Sequence, residues 1–198
     1  MAEHPLTASS PLGGYREAFD GLSVEERPNV AIVSIAVPHE GRPALEKAMF
    51  AAYGVSLPAA GKAIRSSDRR TRFLGMSADQ VFALFDDPTA DAVPVVAANL
   101  GDCGYFTMQS DNWVKLRVAG PRARERLARL CPVDLHPSVF PQDGVARTVI
   151  EHLDTVILPE GGTEYLLLSP SSSAESFLDA VRTGIGLTAS KPELSANR

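Results

Sequence analysis

Apolar positions along this chain switch between the two-residue period of strands and the three-to-four-residue period of helices. Val30-Ala31-Ile32-Val33-Ser34-Ile35-Ala36-Val37 is almost wholly apolar and rich in β-branched side chains, which predicts a strand covered on both faces, and Pro38 closes it. A helix is predicted over Arg42–Tyr53. Pro43 suits its first turn, Leu45, Ala48, Met49, Ala52 and Tyr53 form one apolar stripe, and Gly54 is a natural stop. Extended segments follow at 62–66 and 71–74, then one at 80–85 closed by Asp86-Asp87-Pro88. The stretch 89–100 reads as helical only from Pro94 onward, because an interior proline clashes with the preceding turn.

In the second half, segments 105–109 and 113–118 are expected to pair as a hairpin across Ser110-Asp111-Asn112. Its second strand alternates, placing Val114, Leu116 and Val118 in the core and Trp113, Lys115 and Arg117 in water. Gly120-Pro121 opens a helix to Leu130, with Ala123, Leu127 and Leu130 inward and Pro132 ending it. Another hairpin is expected from strands 148–158 and 164–169 around Gly161-Gly162. A last helix starts at Ser172, with Glu175 completing a capping box and Phe177, Leu178, Val181 and Ile185 on its core side. This order is α+β, two related βαβ-like halves packed as one body with mixed or antiparallel sheets. The expected organisation is a partly extended N-terminal arm over 1–27, an α+β domain over 28–187 and a flexible tail over 188–198, since both ends are too polar to repay their ordering entropy.

The net charge of −5 argues against nucleic-acid binding, which needs a basic face to release counterions from phosphates. The densest basic run, Asp68-Arg69-Arg70-Thr71-Arg72, reads as a solvated turn between strands. Two distant cysteines, Cys103 and Cys131, make neither a disulfide framework nor a zinc pattern. There is no signal-like segment and no long apolar run, so a cytoplasmic protein without membrane attachment is expected.

Motifs that carry chemistry are scarce. There is no Gly-x-Ser-x-Gly elbow and no phosphate-binding P-loop. Gly184-Ile185-Gly186-Leu187-Thr188-Ala189 fits a dinucleotide pattern in letters only, because it follows a helix instead of joining a strand to a helix N-terminus; a helix C-terminal glycine pair is the simpler reading. None of His4, His39, His136 and His152 has a partner at a metal-ligand spacing. His152 lies near Glu151 and Asp154 and could act as a base, but a histidine on a hairpin surface is the preferred reading. Cys131 falls at a helix C-terminus, where the dipole disfavours a thiolate, and reads as structural. No catalytic residue and no metal site are expected in this chain.

The segment Leu116-Arg117-Val118-Ala119-Gly120-Pro121-Arg122-Ala123-Arg124, continuing through Leu130-Cys131-Pro132-Val133-Asp134-Leu135-His136-Pro137 to Phe140-Pro141, resembles the gamma subunit of heterotetrameric sarcosine oxidases. That family carries a strand ending in Ser/Ala-Gly-Pro, a helix, a Cys-x-x-Asp-Leu-His-Pro turn and then Phe-Pro. Ala146-Arg147-Thr148, Ser10-Pro11-Leu12, Gly54-Val55-Ser56-Leu57-Pro58 and Phe73-Leu74-Gly75 add looser agreements in the same order along nearly the whole chain. The family is similar to the folate-binding domain of the glycine-cleavage T-protein. The resemblance implies that fold, partners in the form of alpha, beta and delta subunits, and a complex that oxidatively demethylates sarcosine. The complex would carry FAD, FMN and NAD in its larger subunits and pass the one-carbon unit to tetrahydrofolate.

Two departures, Gln80-Val81-Phe82 where the family has a second Trp and Asn112-Trp113 ahead of the central strand, leave open a related amine such as dimethylglycine or N-methylglutamate. The alternative is a stand-alone tetrahydrofolate-binding one-carbon protein, which needs a carboxylate for the pterin and a cation for the glutamate tail. Its candidates are Asp102, Asp111 and Arg117. A generic interaction module is the third reading.

Overall fold

The computed structural model describes residues 9–87 and 91–186. The first eight residues of the expected arm, His4 among them, Pro88 and the expected tail from 188 lie outside the described residues.

The elements run β1 (Arg16–Phe19), β2 (Leu22–Glu26), β3 (Val30–Ala36), α1 (Arg42–Tyr53), β4 (Ala63–Arg65), β5 (Thr71–Gly75), β6 (Gln80–Asp86), α2 (Val93–Leu100), β7 (Tyr105–Met108), β8 (Trp113–Ala119), α3 (Ala123–Leu127), β9 (Ala146–Ile150), β10 (Leu153–Gly161), β11 (Glu164–Pro170) and α4 (Ala174–Ile185). They build two sheets, ordered β4-β5-β6-β3-β7 and β1-β2-β8-β11-β10-β9. Every strand pairing is antiparallel.

Three apolar layers hold the molecule together. Leu45 and Met49 of α1 and Val96 and Leu100 of α2 pack on Ala31, Val33 and Ile35 of β3 and their neighbours. Phe177, Leu178, Val181 and Ile185 of α4 and Ala123 and Leu127 of α3 cover Val114, Leu116 and Val118 of β8 and Leu167 of β11. Between the sheets, Ile32, Leu74, Phe82 and Leu84 meet Val156, Leu158, Leu166 and Leu168. The fold is therefore α+β in four layers: helices, sheet, sheet, helices. The two halves repeat one topology. The order β3-α1-β4-β5-β6-α2 is retraced by β8-α3-β9-β10-β11-α4, with β3 beside β6 as β8 is beside β11.

The nearly all-apolar run at 30–37 gives β3 over Val30–Ala36, an interior strand of its sheet between β6 and β7, buried on both faces. Helix α1 has the predicted bounds and ends at Gly54 in the left-handed region, whose N–H donates to the Phe50 carbonyl; Ala52 of the expected stripe is exposed. Helix α2 starts at Val93 with Pro94 in its first turn, where no intrahelical N–H is needed.

Several expectations are corrected. Segments 105–109 and 113–118 do not pair with each other: β7 joins β3 in one sheet, and β8 joins β2 and β11 in the other. The connection Ser110–Asn112 is a 3₁₀ turn that carries the chain between sheets. It is anchored by the Ile32 N–H donating to Ser110 Oγ at 2.9 Å and the Gln109 N–H donating to the Ile32 carbonyl at 2.8 Å. Consequently the Lys115 face of β8 points toward the opposite sheet, not to water, and Lys115 is only 4% exposed. The expected strand 148–158 is two strands, β9 and β10, because Glu151 and His152 both take positive φ and close a tight two-residue turn without glycine.

The helix after Gly120 spans only Ala123–Leu127, and its last turn tightens into i→i+3 bonds such as Leu130 N–H to Leu127 O. No capping box forms at Ser172: Ser171–Ser173 is a 3₁₀ turn, and α4 starts at Ala174 without a side-chain cap. Gly186 is the left-handed stop of α4, whereas Gly184 lies inside that helix against Leu130.

The β1–β2 hairpin, for which the pattern gives no signal, lengthens the larger sheet alongside β8. The buried Glu26 carboxylate ties down the segment before it by accepting the Leu12 N–H at 3.1 Å and the Gly14 N–H at 2.7 Å. Gly120 sits against this hairpin with φ +135°, and a Cβ there would lie 2.1 Å from the Gly21 carbonyl oxygen. Gly120→Ala should therefore cost about 2 kcal/mol or more, as backbone strain and a backbone clash combine. A urea unfolding curve checks this; an unchanged midpoint contradicts it.

Candidate functional site

Of the clefts among the described residues, two have Val30 in their lining. The first, about 320 Å³, is rich in arginine: Arg27, Arg65, Arg70, Arg72 and Arg117 face Asp86, Glu160 and Glu164. The second, about 650 Å³, is bounded by Asn29, Asp111, Ser171 and the buried Lys115.

Strand pairing places the charges of the first cleft. Arg117 is opposite Glu25 of β2 on one side and Leu166 of β11 on the other. Its guanidinium spans Glu25 at 3.0 Å and Glu164 at 2.6 Å, and these carboxylates, Glu164 foremost, raise its pKa. Arg27 reaches Asp86 at 3.5 Å and Glu160 at 3.9 Å. Arg72, expected in a solvated turn, is 6% exposed. Asp68, Arg69 and Arg70 do form an exposed turn, but β5 then carries Arg72 inward. Its guanidinium donates to the carbonyl oxygens of Pro159 at 2.6 Å and Gln142 at 3.2 Å. Burial above all, and the neighbouring Arg65 charge, pull its pKa down to about 10 against the opposing effect of Glu160.

In the second cleft Lys115 Nζ donates to the Ser110 carbonyl at 3.1 Å and makes no ion pair among the described residues. Desolvation lowers its pKa, opposed by the Asp111 and Glu26 charges.

The three residues suggested for folate do not converge. Asp102 is in the exposed turn Gly101–Cys103 and lines neither cleft. Asp111 is exposed at the second cleft, where its carbonyl accepts from Ser171 Oγ at 2.6 Å. Arg117 is in the first cleft and already carries two carboxylates. His152 is exposed at the tip of the β9–β10 turn. Cys131 is buried, its thiol facing the Leu127 carbonyl at 3.6 Å, and burial pushes its pKa up, away from thiolate chemistry. Among the described residues no group of three or more His, Cys, Asp or Glu could hold a metal ion, and no helix is long and apolar enough to cross a membrane.

Sequence reasoning missed Arg65, Arg72 and Lys115. The available signal was their place inside strands, where a long cationic side chain on an inter-sheet face must find either a partner or a cleft.

No family model matches the chain. In sequence it is similar to the sarcosine oxidase subunit gamma of Corynebacterium sp. (strain P-1), 27% identical over 157 residues, 79% of this chain and 76% of that protein. It is also similar to the sarcosine oxidase subunit gamma of Arthrobacter sp, 27% identical over 121 residues, 61% of this chain and 60% of that one. A third match, from Corynebacterium sp. (strain U-96), is 28% identical over 129 residues, 65% of this chain and 62% of that protein. The chain thus spans 60% to 76% of the curated relatives it matches. In structure it superimposes on a chain of the heterotetrameric sarcosine oxidase from Corynebacterium sp. U-96 in complex with pyrrole 2-carboxylate, with TM-score 0.71 and 23% identity, covering 86% of this chain and 87% of that one. The glycine cleavage system aminomethyltransferase T from Bartonella henselae shares the fold at TM-score 0.61 and 12% identity, over 88% of this chain and 57% of that one.

Replacing the buried ammonium by a thioether, Lys115→Met, should raise the unfolding free energy by about 1 kcal/mol at pH 7, since an unpaired buried charge is costly. The folded-state pKa lies below the unfolded value of 10.5, so the penalty is fully present at neutral pH and is relieved as pH climbs toward 10.5. The advantage of Lys115→Met over the unaltered chain should therefore shrink across that alkaline window. Denaturation at stepped pH reads it, and a pH-independent difference would contradict the assignment.

Proposed function

We propose that this chain, a relative in sequence and fold of the gamma subunits of heterotetrameric sarcosine oxidase, is a non-catalytic subunit of a flavoenzyme that oxidatively demethylates sarcosine or a related N-methyl amine. The likeness in fold extends over 86% of the chain and 87% of its counterpart in that assembly, and this two-way coverage carries the reading. The chemistry of the described residues supports it. Arg117 is engaged by carboxylates, Lys115 is buried on a carbonyl and Cys131 is an apolar-packed thiol.

In this reading the larger alpha and beta subunits and the small delta subunit are the partners, and they hold FAD, FMN and NAD. The gamma chain contributes assembly and the walls of internal passages along which the one-carbon unit moves toward tetrahydrofolate. The complex works in the cytoplasm. Exposed Phe50 on α1 and Tyr105 on edge strand β7 are apolar surface available to such partners.

A second reading, a stand-alone tetrahydrofolate-binding protein, is favoured by the fold shared with aminomethyltransferase T. It is weakened by the separation of Asp102, Asp111 and Arg117 and by the two carboxylates already on Arg117.

Co-expression with flavoprotein-sized subunits encoded beside this chain should yield one co-purifying complex that oxidises an N-methyl amine, while the chain alone turns over none. A soluble monomer that never joins such subunits sinks the subunit reading. Titration of the isolated chain with tetrahydrofolate should give no saturable signal; one-site binding would move the assignment to the second reading.

A further inference from the structure

The arginine-lined cleft is short of negative charge in a specific place. Its three carboxylates are taken: Asp86 and Glu160 by Arg27, and Glu164 by Arg117. That leaves the wall formed by β4 and β5. There Arg65 and Arg72 are directly opposed in register across an antiparallel pair, so their side chains share one face. Like charges so placed destabilise a sheet. Neither forms an ion pair among the described residues. Arg72 is 94% removed from solvent, that is, 6% exposed, and donates only to two neutral carbonyl oxygens. Arg70 adds a third guanidinium at the mouth, held by Asp68 no closer than 4.0 Å. A buried guanidinium beside a second cation, with Glu160 acting on it only from beyond ion-pair contact, is costly unless something anionic is supplied from outside.

We propose that this cleft is a binding site for a small oxyanion, a carboxylate or phosphate group held between Arg65 and Arg72 and closed over by Arg70. The planar guanidinium fork matches the paired oxygens of either group, and its donors bind them in a bidentate manner that a lysine cannot reproduce. The cleft, about 320 Å³, is at the small end of ligand pockets, which limits the occupant to a compact metabolite or the acidic end of a larger one. Arg117 is held by two carboxylates at 3.0 and 2.6 Å, and Arg27 faces two more at 3.5 and 3.9 Å, so both are turned to charges of their own. With those carboxylates they form the far wall, so the unmatched positive charge is concentrated on the β4–β5 side. Of the folate candidates of the second reading only Arg117 lines this cleft, and there it is paired with carboxylates; the proposed anion site rests on Arg65, Arg72 and Arg70 and stands whether or not the chain joins flavin subunits.

The test uses the full chain at low ionic strength, where surface screening is weakest. Inorganic phosphate and succinate are titrated separately by calorimetry and by thermal unfolding. At least one should bind saturably at one site and raise the midpoint; the arm that responds tells phosphate from carboxylate. Arg65→Gln should weaken that binding about tenfold and abolish the anion-dependent rise in midpoint. Arg65 is exposed, so this variant keeps its fold, and removing the cross-strand repulsion should leave it no less stable than the parent in anion-free buffer. Arg65→Lys should recover little, because a point charge lacks the fork. The proposal is overturned if neither probe binds saturably, as when an acidic segment of a partner protein is the real occupant, or if Arg65→Gln binds as tightly as the unaltered chain.

Discussion

The packing of two antiparallel sheets against each other is the constraint from which the rest of this structure follows. Ile32, Leu74, Phe82 and Leu84 on one side and Val156, Leu158, Leu166 and Leu168 on the other form a dry layer that belongs to neither half alone. Because helices cover the outer faces, the central strands β3, β6, β10 and β11 must be apolar on both faces, and their burial patterns show it. Polar groups are confined to the margins of the layer, where the sheets part. The two clefts lie there, and so do the cationic side chains that reach the inter-sheet space. What looks on the surface like a functional site is thus first a boundary condition of the packing: a strand that continues past the apolar layer must bring its next inward residue into a gap.

How much of this was readable from residues depends on whether a signal was local. Strand β3, helices α1 and α2, and the core side of α4 were legible because periodicity and the prolines and glycines at their ends are local properties. The pairing of β7 and β8 was not. Their spacing and the intervening Ser-Asp-Asn resemble a hairpin, and only the competition for β3 on one sheet and for β2 and β11 on the other separates them. The Glu151-His152 turn hid for a different reason: it contains neither glycine nor asparagine, and Glu151 is not a residue that normally takes positive φ. The inward face of β8 failed for the same non-local cause. Trp113, Lys115 and Arg117 alternate with core residues as solvent-facing positions would, but a second sheet stands where water was expected.

Charge tells a parallel story. A short run of arginines is usually a solvated turn, and Asp68, Arg69 and Arg70 obey that rule. Arg72 does not, since Thr71 begins a strand and the pleat sends every second side chain inward. The candidate residues suggested for folate were chosen by residue type, and type alone could not reveal that Arg117 lies between Glu25 and Glu164. A cation already matched twice is a structural fastener, whereas one opposed by another cation is open to a ligand. Electrostatic state, more than identity, separates Arg117 from Arg65 and Arg72.

The repeat of one topology in the two halves sharpens the meaning of the N-terminal hairpin. In the first half, α2 is followed by β7, which takes the free edge of β3. The second half would leave the corresponding edge of β8 bare after α4, with a row of unpaired N–H and carbonyl groups. That place is taken by β2, from the opposite end of the chain. The seam so formed carries the Glu25–Arg117 ion pair and the close approach of Gly120 to Gly21. It lies beside the Gly120-Pro121 segment, one of the stretches that resemble gamma subunits. That segment is therefore the point where residues preceding the first half close the sheet of the second. Its glycine is required by that closure: with φ +135° and the Gly21 carbonyl oxygen 2.1 Å from where a Cβ would stand, a larger residue fits only if one strand shifts against the other.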